Sequence, residues 1–587
     1  MQYRTKPKRH HAMRIRRAWG TVIAAGLMLI IPQSIAAQTA SQLTEPSYAP
    51  PTIRAVRGGL TVPATAGLEA PEGAETLLVR PAGLSVEGGL APLAAETAAI
   101  NVRLAGKQVS GADLFSAARD LEEAYARAGY LLVRVSLPPQ TIMDGQPLKL
   151  VVTDGYVEKV DTSSLPPSIR GRLASVLSPL VRQKGLTRRE LERRLLLASD
   201  LPGIMLRSTL TPGGDPGATI LVVEGRHNPI TGSMSIDNGL SPELGQYPLG
   251  VGAEFNSLLG LGEVGYVRLI GYSGLDGALL TDDPRNRQIV GGVTVPLGTD
   301  GLWFGLEGVD SRTHPQSDLP YTILDHFQRF STRLGYSWMR SRAFNTSSVL
   351  SFDLAEERQE IDVNGFRTGW SEDRLRILRL KQAADAYLPD GAVVSGEATL
   401  SFGLDALGAR HATPLLPLSR VGASPDFVKL EVIGSYRQSL LQDQLNLTVS
   451  GKAQTSFGDP MVTSEQFGLG GFDWLSSFGS GSLQGDTGAA LRAELAFPQT
   501  LDALSNGTFG TAMSPYLFGA AGIVKLEEAT AVEDTVTRAA AFGVGLRFGL
   551  AQRESLRSAN LTLEYGRGVA SGAKGDNRFN LRFSTTF

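Results

Sequence analysis

Cysteine is absent from all 587 residues. Its absence excludes disulfide scaffolds, CxxC zinc sites, thiol nucleophiles and a lipidated N-terminal cysteine. Charge is sparse as well: Asp, Glu, Lys and Arg make up 19% of the chain, below the ordinary share of about 25%. A net charge of −2 leaves no global basic signature for nucleic acid. The six histidines (His10, His11, His227, His314, His326, His411) are scattered, and none sits in an HExxH or another i, i+4 metal pairing. No GxSxG occurs. Gly468-Leu469-Gly470-Gly471 lacks the Lys-Ser/Thr and the following helix that a phosphate loop requires. No catalytic constellation, metal, cofactor or nucleotide site is therefore expected. Long hydrophobic runs are missing too: past residue 37 no stretch of 18 apolar residues appears. Without its first segment the chain is either soluble or a β-barrel.

That first segment has a distinct character. Arg4, Lys6, Lys8, Arg9, Arg14, Arg16 and Arg17 precede an apolar run from Trp19 to Ile31 and then Pro32-Gln33-Ser34-Ile35-Ala36-Ala37. A basic start, an apolar stretch too short to span a bilayer and small residues at the end read as a secretory signal peptide, residues 1–37, cut after Ala36 or Ala37. Its removal takes the formal charge from −2 to −9. Residues 38–75 carry Pro46, Pro50, Pro51, Pro63 and Pro71 and read as an extended linker.

From residue 76 to 226 strand and helix signals alternate. Thr76–Arg80 reads as a strand. Leu114, Ala117, Leu121, Ala124, Tyr125 and Ala128 form one face of a helix that Gly129 stops. Leu131–Leu137 and Leu148–Val152 read as strands about the turn Asp144-Gly145. The cycle repeats with a strand at Tyr156–Val160 and a helix at Ile169–Val181. A capping box at Thr187…Glu190 opens a second helix, and strands follow at Ile204–Leu210 and Ala218–Val223. Two β-α-α-β-β units, 76–155 and 156–226, are the economical organisation.

After residue 226 the period changes from helical to two. Phe579, Leu581, Phe583 and Phe587 alternate with Arg578, Asn580, Arg582, Ser584 and Thr586; Leu491, Ala493, Leu495 and Phe497 alternate with Arg492 and Glu494. A soluble sandwich alternates in the same way. Here the segments run to about 9–14 residues, their polar face carries Arg and Glu, and the chain ends on an outward aromatic, Phe587. These features favour an outer-membrane barrel with a polar lumen. Sixteen segments are expected, starting near 231, 247, 264, 289, 302, 326, 345, 375, 392, 426, 444, 489, 512, 538, 559 and 577. The fold class expected is a membrane β-barrel of 16 antiparallel strands over 227–587, preceded by two α+β modules. The terminal Phe587 is expected to act as the insertion signal that barrel assembly machinery recognises.

Several stretches resemble a known family. Gly129-Tyr130…Pro138-Pro139-Gln140…Asp144-Gly145 is similar to the first polypeptide-transport-associated (POTRA) module of two-partner secretion transporters, the TpsB or haemolysin secretion/activation proteins. Leu201-Pro202-Gly203 resembles a stretch of their second module. Gly470-Gly471…Phe478…Asp486-Thr487-Gly488…Arg492-Ala493-Glu494 resembles their lumenal loop and twelfth strand, which places that loop at about 457–488. The resemblance implies a non-enzymatic outer-membrane pore of the BamA-related superfamily. Its periplasmic POTRA modules capture a secreted exoprotein, haemagglutinin- or haemolysin-like and β-helical, and the barrel passes it to the surface. Outer-membrane lipid is the surrounding partner; no nucleic acid or nucleotide takes part. The alternative within the superfamily is a factor that assembles and inserts other barrels, and two modules favour secretion.

This sequence departs from the family pattern at three places. The arginine of the loop tip is replaced by Ser476, and the aspartate of the thirteenth strand by Ala520. In the family these two pair within the lumen, and losing both is more coherent than losing one. The loop is therefore expected to be held by backbone and apolar contacts around Phe472, Trp474 and Phe478, with Asp486 accepting from a lumenal Arg. Thirdly, the prolines of 38–75 argue against a pore-plugging helix of normal length.

Overall fold

The computed structural model describes residues 38–44, 69–274, 278–316, 319–501, 504–505, 507–553, 555–571 and 573–587. The signal-peptide segment and four of the five linker prolines lie outside the described residues. A one-turn helix α1 (Ala40–Leu43) comes first, and its Thr39…Gln42 capping box is complete.

The first module is β1 (Gly83–Glu87), α2 (Ala94–Leu104), α3 (Gly111–Arg127), β2 (Arg134–Ser136) and β3 (Pro147–Thr153). β3 is the middle strand of the sheet, parallel to β1 and antiparallel to β2. The strand expected at Thr76–Arg80 shrinks to Leu78–Val79, which pairs only with Val109–Ser110. The sheet strand is instead Gly83–Glu87, and α2 is the helix that the β-α-α-β-β order implied but to which no residues were assigned. The second module follows the same order: β4 (Tyr156–Asp161), α4 (Pro167–Leu177), α5 (Arg188–Ser199), β5 (Ile204–Pro212) and β6 (Ala218–His227). Each module encloses its own apolar core, Leu114, Leu121, Tyr125 and Leu150 in the first and Ile169, Leu173, Leu191 and Leu221 in the second.

Among the described residues sixteen long strands, with the two-residue strand Gln499–Thr500 paired beside them, close into an antiparallel barrel. In chain order these are β7 (Ile230–Asp237), β8 (Pro248–Asn256), β9 (Val264–Tyr272), β10 (Asn286–Leu297), β11 (Leu302–Thr313), β12 (Tyr321–Arg340), β13 (Phe344–Val363) and β14 (Phe366–Tyr387). They continue with β15 (Val393–Gly403), β16 (Val428–Leu440), β17 (Leu445–Thr455), β18 (Thr487–Ala496), β19 (Phe509–Lys525), β20 (Val536–Gln552), β21 (Ser558–Ala570) and β22 (Ala573–Thr586). Period two explains their two faces. Phe542, Val544, Leu491 and Phe579 stand exposed, while Glu307, Arg333, Arg492 and Glu564 are buried. Apolar out and charged in is the arrangement of a barrel in lipid, and closure leaves no open sheet edge in the hydrocarbon. Of the described helices none is long and apolar enough to cross a membrane.

β22 closes on β7 from Arg582↔Asp237 to Thr586↔Ser233. Phe587 extends the seam, exchanging backbone hydrogen bonds with Gly232 at 2.8 and 2.9 Å. The second module seats on the barrel turn at 298–301. Arg172 donates to the Gly298 carbonyl (2.6 Å), Arg194 to that of Thr299 (2.8 Å) and Arg193 to that of Asp300 (2.9 Å). Beside them Asp200 and Arg340 form a two-pronged pair at 2.6 and 2.8 Å.

Candidate functional site: the lumen and its inserted loop

The chain between β17 and β18, residues 456–486, folds into the lumen. At its base Asp486 is fully buried. It accepts from the backbone N–H of Met461 (3.0 Å) and Glu527 (2.7 Å) and from the Gln466 amide (3.1 Å), with Arg420 at 3.9 Å. Glu465 anchors the same base to the wall, pairing with Arg379 of β14 and Lys429 of β16, each at 2.6 Å. Phe467–Gly468 then pairs with Gln484–Gly485 as a small hairpin, and the tip turns at Gly470 and Gly471. A Cβ at Gly470 would strike the Gly479 carbonyl, and Gly471 has φ +116°, so both positions favour glycine.

From the base the loop crosses the lumen toward β22. Leu469 and Leu475 are fully buried with Tyr516 and Phe518. Wall glycines make room for the loop: a side chain at Gly488 would meet Phe467, one at Gly522 Leu469, and one at Gly568 Phe478. Phe472 lies against Gly239 and beneath the Arg582 guanidinium. The apolar contacts expected around Phe472, Trp474 and Phe478 are present, but they are not alone. Arg492 and Glu494 of β18 both face the lumen and join a buried polar cluster that also holds Ser476, Tyr516 and Glu564. Ala520 faces Arg492 across the strand pair and belongs to the apolar cluster. The tip is thus not free of ionic contacts, contrary to the expectation from Ser476 and Ala520 alone. Glu564 and Tyr516 are the members that sequence reasoning missed.

Residues 38–44 bring a second correction. They are not free linker but lie inside the barrel. Ala40 is fully buried among Phe327, Leu375, Phe427 and Met461. The Ala40 and Ser41 N–H groups donate to Asp325 and Glu357, both at 3.2 Å. Gln38 donates to the Ser480 carbonyl at 2.6 Å and accepts from the Ser241 N–H. Beneath the loop and this segment a cavity of about 2460 Å³ runs from Arg188 and Leu206 of the second module past Ser331, Ser351 and Ser435 to Glu465.

The resembling residues of the modules are structural. Gly129, at φ +95°, ends α3, and its carbonyl accepts from Arg188 N–H of the second module. Tyr130 packs edge-on to Tyr125. Gln140, two residues past Pro138, pairs its side-chain amide with the Lys149 backbone at 2.7 and 2.9 Å. Asp144 accepts from the Arg80 N–H and Gly145 completes the turn. Leu201-Pro202-Gly203 lies at the junction with the barrel, where Leu201 packs beside Gly262 and Gly203 approaches the Asn228 carbonyl.

Residues 217–548 match the model of the haemolysin secretion/activation protein family ShlB/FhaC/HecB, and residues 83–155 match the ShlB-type POTRA domain. The chain belongs to this family. These are outer-membrane barrel transporters with periplasmic POTRA domains, so the modules mark the periplasmic end of the barrel and the turns at 298–301 face the periplasm. The heme/hemopexin transporter protein HuxB of Haemophilus influenzae (strain 86-028NP) is 29% identical over 172 residues, 29% of this chain and 30% of that protein. The chain thus spans under a third of the length of that relative. The hemolysin transporter protein HpmB of Proteus mirabilis is 22% identical over 407 residues, 68% of each chain. In fold, CdiB from Escherichia coli superposes with a TM-score of 0.65 at 19% identity, covering 91% of this chain and 94% of that one. Among the described residues no three His, Asp or Glu side chains are grouped to hold a metal ion.

Proposed function

We propose that this chain is the outer-membrane pore of a two-partner secretion system. It takes an unfolded, haemagglutinin- or haemolysin-like exoprotein from the periplasm and passes it through the barrel to fold as a β-helix outside. The observation that carries this reading is the cavity of about 2460 Å³ joining the second module to a lumen that holds an inserted loop. A passive porin has no use for modules at the mouth of its channel. Domain limits of 76–155 and 156–226 for the modules and 227–587 for the barrel fit this division of labour.

Capture by the modules would use backbone hydrogen bonding to an extended chain, which needs little side-chain specificity. Transport needs no nucleotide; folding on the far side supplies direction. Family membership and the names of HuxB and HpmB, both transporters, support the same reading. To test it, the full-length protein in detergent is mixed with the N-terminal domain of a large, signal-bearing exoprotein encoded beside its gene. A stable complex is expected. Binding instead to unfolded barrel proteins, with no affinity for that domain, would favour the assembly-factor reading.

A further inference from the structure

We infer that Arg492 and Glu564 form a clasp that docks the tip of the lumenal loop against the barrel wall. The wall supplies the arginine and the loop presents a hydroxyl. Arg492 of β18 uses its fork on both sides. Nε donates to Glu494 Oε1 at 2.7 Å and Nη2 to Glu564 Oε2 at 2.6 Å, while Nη1 donates only to the loop, to the Trp474 carbonyl at 3.0 Å and Ser476 Oγ at 3.1 Å. Its plane lies 4.1 Å over the Phe518 ring, a position Ala520 leaves open by being small. Glu564 of β21 receives the Ser476 hydroxyl on Oε1 and the Tyr516 hydroxyl on Oε2 (2.7 Å). Asn580 of β22 donates to the Ser476 carbonyl at 2.8 Å. Ser476 is therefore gripped through both its hydroxyl and its carbonyl by three wall strands.

The clasp is dry. Arg492 is 4% exposed, Glu564 5% and Ser476 2%. Removing one member of a buried pair leaves the other charge uncompensated. Lysine has one ammonium and no planar fork, so it cannot reach Glu494, Glu564 and two loop oxygens together. Arg492 acts here as a positioning residue: it touches the loop that lies in the lumen. The export arm of the test rests on the secretion reading; the docking arm does not.

Docking can be read directly because the chain has no cysteine of its own. A Cβ at Gly566 would lie 2.8 Å from Ser477 Oγ, so Ser477→Cys with Gly566→Cys should form a disulfide when the tip is docked. In that background Arg492→Ser should lose the oxidised gel species and the export of partner. Glu564→Gln, nearly isosteric, should weaken both in the same direction. Moving the arginine, by Ser476→Arg with Arg492→Ser, should restore both. The clasp is overturned if Arg492→Ser retains the oxidised species at the parent level in a heat-modifiable, folded barrel. It is equally overturned if the moved arginine does no better than Arg492→Ser alone. Cross-linking that responds as stated while export does not would uphold the clasp and count against the secretion reading.

Discussion

Glu465→Ala tests how the base of the loop is fixed. Glu465 is 5% exposed and holds two cations, Arg379 and Lys429. After the change Arg379 still has Asp353 at 2.7 Å and Ser401 Oγ at 3.0 Å. Lys429 keeps only the residue 465 carbonyl, at 3.2 Å. One nearly buried ammonium is then left without a counter-charge. Breaking a buried pair costs about 3–5 kcal/mol, and since Arg379 stays paired the lower end, about 3 kcal/mol, is expected. With a urea dependence of about 1–3 kcal/mol per M, the unfolding midpoint should fall by about 1–3 M. Mobility of the unheated barrel on a denaturing gel after equilibration in urea reads that midpoint. Glu465→Ala with Lys429→Met removes the stranded charge and should recover most of the loss, because an apolar replacement of a whole buried pair is often near neutral. A single variant as stable as the parent, or a double variant no better than the single, would refute the argument.

Phe587 closes the seam over Gly232, and Phe587→Ser should lower the amount of heat-modifiable barrel in outer-membrane fractions. In intact cells an added protease should cut at the exposed surface loop around Leu280–Asp282 and spare Lys184 of the second module; cleavage at Lys184 would reverse the orientation. Gly568→Val would drive a methyl into the Phe478 ring and should weaken loop docking without unfolding the barrel, read by the same engineered disulfide. Ser110 caps α3 and Asp113 completes its capping box; the Ser110 backbone N–H and then its hydroxyl hold the Asp113 carboxyl below the usual range. A depressed carboxyl stabilises above its unfolded value and loses that effect as the pH falls through its folded value. Asp113→Ala should therefore lower helix melting at neutral pH and not in strong acid, followed by circular dichroism.

Most barrel strands were legible because lipid enforces period two on them. Val264 and Leu302 begin strands where alternation begins. The largest departures are β12 and β14, which start at Tyr321 and Phe366 rather than near 326 and 375. There the outward row passes from Phe330 and Leu378 to Gln328, Arg376 and Arg374, while Phe327, Leu375 and Ile377 face inward around Ala40, so the apolar phase is inverted while the hydrogen-bonded ladder continues. Helix α2 was missed because Ala94, Ala95, Ala98 and Ala99 give it little apolar contrast, although alanine is the best helix former. For residues 38–44 the prolines downstream dominated the composition. The capping pair Thr39 and Gln42 was the local signal of the turn.

The candidate site was legible on one strand only. Arg492 and Glu494, two residues apart, had to share the lumenal face. Glu564 lies 72 residues further along the chain, and its place beside Arg492 follows from barrel closure and register, which no local pattern carries. Ser476 looked like a lost contact because the arginine that meets it comes from another strand. Once the register is known, Ser476 has partners on the wall, Arg492 and Glu564.

Export of the partner tests the account most directly. Cells lacking this gene are supplied with the neighbouring exoprotein alone, with the exoprotein and this chain, or with the exoprotein and the chain carrying Arg492→Ser. Surface and medium are then assayed for the full-length exoprotein. The account predicts export only with the intact chain and retention in the periplasm otherwise, with the levels of other outer-membrane barrels unchanged. Export without the chain, or a general loss of outer-membrane barrels in its absence, would contradict it.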